Sequence, residues 1–261
     1  MESNKNFLMK YFYDTEFLEG TQKKRWWNIG KQKPTIDLIS IGIVCEDGRE
    51  YYAVNKDFNL KEAWNRWQQR SGEGDRNNIE PRLYWLRDNV LKSIFIELRA
   101  KEVEEYNIAK GINVVLDFPA YHFTYKSIKR LINKYGKSNQ QIAEEVYNFC
   151  SNDYHKGNNL DYDQRIQYSL YDKFKPQFYG YYSDYDWVVV CWLFGKMNNL
   201  PKGFPMFAFD IQQQIEEYKI DKEQLLKEVP QISCHNALQD AIWNKKAYNW
   251  IQNEIKDKNN R

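Results

Sequence analysis

The chain carries no strong excess of charge: 38 Lys and Arg stand against 36 Asp and Glu, for a net +2. Net charge therefore announces no polyanion-coating surface, and it leaves room for a local basic groove beside an acidic centre. Cysteine is scarce as well. Cys45, Cys150, Cys191 and Cys234 form no CxxC pair, and only Cys234 lies directly beside a histidine, His235. Buried, reduced thiols in a reducing compartment are the expected reading. The N-terminal MESNKNFLMKYFYD lacks the apolar run of a signal peptide, and no stretch reaches the ~18–20 apolar residues of a membrane span. These absences point to a cytoplasmic protein with no membrane partner. Internal repeats and low-complexity tracts are missing too, which excludes solenoid and linker architectures.

What the chain does have is length and aromatic side chains. A chain of 261 residues hides roughly 70–75% of its unfolded surface. Aromatic residues make up 16% of it, with 20 Tyr and 9 Trp; such rings fill cores and also stack on bases.

The apolar, β-prone run from Phe7 ends at Asp14 and reads as a first strand. Residues 36–45 (IDLISIGIVC) read as a second strand, Asp47-Gly48 as a hairpin turn, and residues 50–54 (EYYAV) as the returning third strand. Helical patterns follow over residues 59–67, 82–105, 127–135 and 138–150, the last opened by a Ser138/Gln141 capping box. Residues 177–182 (QFYGYY) read as a strand running into a helix over 185–197, and residues 204–209 (FPMFAF) as a last strand. Helices over 211–218 and 236–255 complete the pattern, with a disordered tail at 256–261. The segment 21–34 (TQKKRWWNIGKQKP), with Trp26 and Trp27 among basic residues, reads as a loop, and residues 68–81 as another. The expectation is one α/β domain over residues 1–255, with insertions at about 19–34 and 63–176.

Three short stretches place acidic groups at the edges of these elements. Asp14 and Glu16, two apart on a strand, project to one face and aim two carboxylates at one point, an arrangement hard divalent cations favour. Asp184 and Asp186 stand where a strand passes into a helix; Ser183-x-x-Asp186 also fits a capping box, which would leave Asp186 a structural task alone. His235 precedes the last helix, with Asn236 as a candidate N-cap and Asp240 in the first turns.

The order D-x-E, then a central Asp, then H-x-x-x-x-D resembles the DEDD-type exonucleases of the histidine variant. The runs YFYDTEF, TIDLISIGIVCEDGREYYAV, DYDWVVVCWLFG and HNALQDA resemble the polyadenylate-specific exoribonuclease AS family over roughly residues 8–62 and 177–250. That resemblance implies a ribonuclease-H-like fold: a three-strand antiparallel meander followed by parallel strands, flanked by helices, here with large helical insertions. It implies that Asp14, Glu16, Asp186 and Asp240 hold two Mg²⁺ or Mn²⁺ ions and that His235 is the general base. Two cations about 3.5–4 Å apart neutralise a scissile phosphate, acidify a bound water and stabilise the leaving 3′ oxygen, while an imidazole accepts a proton near neutral pH. The implied substrate is single-stranded RNA, adenylate-rich in the family pattern, shortened from its 3′ end with release of nucleoside 5′-monophosphates. A homodimer is also implied. Within the pattern the central ligand is Asp186, directly after Tyr185, with Asp184 the competing candidate. Phe17 is a candidate for stacking on the terminal base, or else a core aromatic. The rival readings are a 3′→5′ DNA exonuclease with the same site, a catalytically silent RNA-binding module, and a hydrolase of nucleotides or small oligonucleotides.

Overall fold

The computed structural model describes residues 7–21, 34–67, 82–113, 122–155, 174–231 and 235–259. Five strands form one mixed sheet in the order β3-β2-β1-β4-β5. Strands β1 (Phe7–Thr21), β2 (Pro34–Cys45) and β3 (Glu50–Val54) are the expected antiparallel meander. Strand β4 (Phe174–Gly180) pairs in parallel with β1, and β5 (Phe209–Asp210) in parallel with β4.

Strand limits differ from the sequence reading: β2 begins at Pro34 rather than at residue 36, β4 spans Phe174–Gly180 rather than residues 177–182, and two differences are larger. β1 does not stop at Asp14 but runs on to Thr21, because β2 is long enough to pair it all the way to Pro34. Asp14 and Glu16 are therefore mid-strand. The last strand, expected over 204–209, shrinks to Phe209–Asp210. Pro205 has no N–H to give a ladder, Phe204 N–H instead closes a turn onto the Pro201 carbonyl, and Met206 and Phe207 are exposed.

The helices are α1 (Leu60–Asn65), a π-helical turn (Leu86–Leu91) running into α2 (Lys92–Lys110), α3 (Tyr125–Tyr135), α4 (Asn139–His155), α5 (Asp184–Leu193), α6 (Ile211–Glu217), α7 (Lys222–Glu228) and α8 (Ala237–Asn259). The Ser138/Gln141 capping box is present: each side chain accepts the other residue's backbone N–H, at 3.2 and 2.9 Å. Helix α7 has no counterpart in the sequence reading; Asp221 caps it by accepting from the N–H groups of Glu223 and Gln224. Helix α8 continues past residue 255 to Asn259, so most of the expected disordered tail is helical. Its last turn carries Lys256 and Lys258, which suit the negative helix end, and Lys258 Nζ donates to the carbonyls of Tyr218 and Lys219. Among the described residues no helix is long and apolar enough to cross a membrane. The expected loop over 68–81, the basic Trp26-Trp27 segment and Cys234 lie outside the described residues. Cys45, Cys150 and Cys191 are free and buried.

Strand alternation divides the core. Tyr11, Tyr13, Ile41, Ile43 and Phe178 pack on one side with α4 and α5. Phe12 and Tyr179 pack on the other with α6, α7 and α8. A third cluster joins Leu18, Ile39 and Val54 to the mid-chain helices through Val90, Leu91, Ile94, Leu98, Ile128 and Leu131. Asp14 and Glu16 share the parity of Phe12, so they face α8.

Candidate metal centre

The site is built where β1 outruns β4. Their parallel pairing ends at Phe12↔Tyr179, so the edge of β1 beyond it is open on that side. Gly180 closes β4, and a side chain there would overlap Ser183 and press on the Tyr13 ring. Its absence lets the chain turn at once into α5. That turn delivers Asp186 to the open edge: Asp186 Oδ1 accepts the Thr15 backbone N–H at 2.9 Å and the Thr15 hydroxyl. Ser183 makes no side-chain cap bond, and the capping-box alternative for Asp186 is not the arrangement found. Ser183 instead donates its N–H to Asp210 Oδ2 at 2.7 Å.

Helix α8 supplies the opposite wall. Gly42 of β2 pairs with Asp14, and a Cβ at Gly42 would overlap the Ala237 carbonyl and the Leu238 Cα. The bare glycine lets the first turn of α8 lie on the strand directly across from Asp14. Asn244 Nδ2 donates to the Tyr13 carbonyl at 2.9 Å and Lys245 Nζ to the Cys45 carbonyl at 2.9 Å, fixing the helix along β1 and β2. Asp240 is thereby placed over Asp14 and Glu16, and one carboxylate oxygen from each of the three lies within 4.8 Å of the others. Asp240 is held in turn by Gln231 Nε2 at 2.7 Å and by the N–H groups of His235 and Asn236 at 2.9 and 3.2 Å.

Glu16, Asp186 and Asp240 are each less than a tenth exposed, whereas Asp184, two residues before Asp186, faces solvent. Crowding of buried like charges disfavours ionisation. Burial, then Asp186, Glu16 and Asp240, push Asp14 well above the usual carboxylate range. Burial and the neighbouring Asp240 and Asp186 raise Glu16 to about 8. Asp186 is raised by burial to about 6 against the pull of the Thr15 hydrogen bonds, and Asp240 is raised by burial. An all-oxygen, anionic donor set under mutual repulsion suits a hard divalent cation. Asp14, Glu16 and Asp240 can hold such an ion directly, and Asp186 adds charge beside them.

His235 stands at the entry to α8 with its backbone in the left-handed region, φ 68°. Its ring meets Trp85 edge to face, with centroids 4.5 Å apart. Phe17 is half-buried, packs on the Tyr13 side of the sheet and touches the exposed ring of Tyr185, centroids 6.0 Å apart. Several supporting residues escaped the sequence reading. Thr15 carried one signal, a hydroxyl between two carboxylates on one strand. Gly42, Gln231 and Trp85 carried none.

No protein-family model matches the chain. Two relatives do. They are proteins named 3′-5′ exoribonuclease from Mycobacterium tuberculosis strains CDC 1551 and H37Rv, each 43% identical over 75 residues, 29% of this chain. The chain thus spans about a third of the length of these curated relatives, 33% of each.

Proposed function

We propose that this chain is a metal-dependent 3′→5′ exoribonuclease of the DEDD type with the histidine variant, on a ribonuclease-H-like sheet, and a member of the polyadenylate-specific exoribonuclease AS family. The observation that carries this reading is the meeting of Asp14 and Glu16 from the first strand with Asp240 from the last helix in one carboxylate cluster. The strand order and the Asp186 contact to Thr15 support it, as do the names of the two partial relatives.

In this mechanism Asp14, Glu16, Asp186 and Asp240 would hold two Mg²⁺ or Mn²⁺ ions. Bound there, the ions supply charge neutralisation of the phosphate and a more acidic water. His235 takes a proton from the attacking water as the water oxygen bonds to phosphorus, and the bond from phosphorus to the 3′ oxygen of the penultimate residue breaks, that oxygen gaining a proton from solvent to leave as the 3′ hydroxyl. The product is a nucleoside 5′-monophosphate. Phe17, with Tyr185 beside it, offers a ring to the terminal base. Single-stranded RNA, adenylate-rich in preference, is the proposed substrate, in a cytoplasmic homodimer.

Matched 5′-labelled RNA and DNA oligonucleotides, with Mn²⁺ or Mg²⁺ and with EDTA, test the reading. RNA should shorten in single-nucleotide steps from the 3′ end only when cation is present. Faster decay of the DNA would refute the substrate assignment. Undiminished decay of RNA by an Asp14→Ala variant would refute the site.

A further inference from the structure

The mid-chain helices lie outside the segments that carry the family resemblance, yet three of their side chains, those of Trp85, Ser93 and Glu97, reach the segment around His235. Trp85, the residue from which the π-helical turn starts, is half-buried against the third core cluster, and its ring meets the imidazole at 4.5 Å. Its carbonyl accepts Asn89 Nδ2 at 2.9 Å, which fixes the turn that presents the ring. One turn into α2, Glu97 Oε2 accepts Asn236 Nδ2 at 3.0 Å, and Ser93 Oγ lies 3.4 Å from the same nitrogen. The other end of the Asn236 amide caps α8, accepting from the N–H groups of Leu238 and Gln239 at 3.1 Å each. Asn236 therefore ties the start of α8 to the insertion, one residue after His235.

The backbone at His235 needs such support. A φ of 68° lies in the left-handed region, which is uncommon for residues with a Cβ, although histidine enters it more readily than most. Asp240 grips the two peptide N–H groups, but those bonds fix the backbone and leave the imidazole rotamer open. The contact with Trp85 acts on the ring itself. The imidazole is thus braced from outside the segments that carry the resemblance.

We propose that the mid-chain insertion is a positioning element for His235: Trp85 sets the orientation of the imidazole, and Glu97 with Ser93 anchors Asn236 beneath it. This rests on the reading of His235 as the general base. Trp85 is a positioning residue that touches neither substrate nor metal ligands in this assignment.

The test is a mutant cycle on the full chain, measuring kcat and KM for a 5′-labelled single-stranded RNA oligonucleotide with Mn²⁺. Misorienting a proton acceptor should cost rate rather than binding, so Trp85→Leu should lower kcat about tenfold or more, with KM and the Mn²⁺ dependence within about twofold of wild type. Trp85→Phe, which keeps a ring against the imidazole, should recover most of the loss and controls for folding. In the His235→Ala background, Trp85→Leu should have no further effect, because its partner is already gone. The proposal is overturned if Trp85→Leu turns over at the wild-type rate, if Phe is no better than Leu, or if the two losses multiply. Wild-type turnover by His235→Ala alone would remove the base assignment itself, and that result is read from the single variant, so the two failures are told apart.

Discussion

Glu16→Gln should make the metal-free protein more stable at alkaline pH, although it removes a residue assigned to metal binding. Glu16 is buried beside Asp240 and Asp186 and its carboxyl is held at about 8 rather than 4.5. A carboxyl whose pKa is raised on folding stabilises the fold while protonated and loses that contribution as pH climbs from its unfolded to its folded value. The window for Glu16 is therefore about pH 4.5 to 8. At about 1.4 kcal/mol per pKa unit, ionising it in the folded, metal-free state costs on the order of 4 kcal/mol by the top of that window. Glutamine keeps the shape without the charge. At roughly 2–4 °C per kcal/mol for a chain of this size, the variant should melt roughly 8–15 °C above wild type near pH 8 in EDTA, and close to it at pH 5. Adding Mn²⁺ at pH 8 should raise the wild-type melting temperature, because a bound cation favours the ionised carboxylates, and should do far less for the variant. Thermal denaturation followed by circular dichroism across pH 5–8, with and without Mn²⁺, measures all of this. A stability difference that does not change with pH, or a variant less stable than wild type at pH 8, would refute the reasoning.

Asp186→Asn should lower kcat roughly a thousandfold, about 4 kcal/mol of transition-state stabilisation, while Asp184→Asn, on the exposed side of α5, should stay near wild type; steady-state turnover of RNA compares them. Metal affinity should strengthen from pH 6 to pH 8, since the cation binds the deprotonated carboxylates that burial and repulsion keep protonated; calorimetric titration in buffers of different ionisation heat should also show protons released on binding. Gly42→Ala should cost about 1–3 kcal/mol of stability and much of the activity, because its methyl group would overlap the start of α8; chemical denaturation and an activity assay report the two effects.

The strands and most helices are written locally. The meander is legible because residues 36–54 alternate apolar runs with an Asp-Gly turn, and α4 because Ser138 and Gln141 announce its start. Asp14 and Glu16 could be paired from strand parity alone. The placement of Asp240 against them could not, because it depends on Gly42 accepting a helix and on Asn244 and Lys245 gripping backbone carbonyls of β1 and β2. Such contacts join residues far apart in sequence and leave no periodic trace. Asp184 and Asp186 looked alike as letters; only the ending of the β1–β4 ladder at Phe12 gives Asp186 the Thr15 N–H to accept. The last strand reads too long in the sequence because FPMFAF has strand composition, whereas Pro205 lacks the N–H for a ladder and pairing is left to Phe209–Asp210.

The carboxylate cluster joins the first strand to the last helix, and this arrangement has a consequence for synthesis. While the chain is being made, β1 to β3 leave the ribosome with Asp14 and Glu16 lacking their third partner, and the centre cannot close until α8 emerges. Fragments that stop before residue 240 lack one of the three carboxylates of the cluster. Any cation affinity of the three-carboxylate cluster is thereby withheld until α8 has been made.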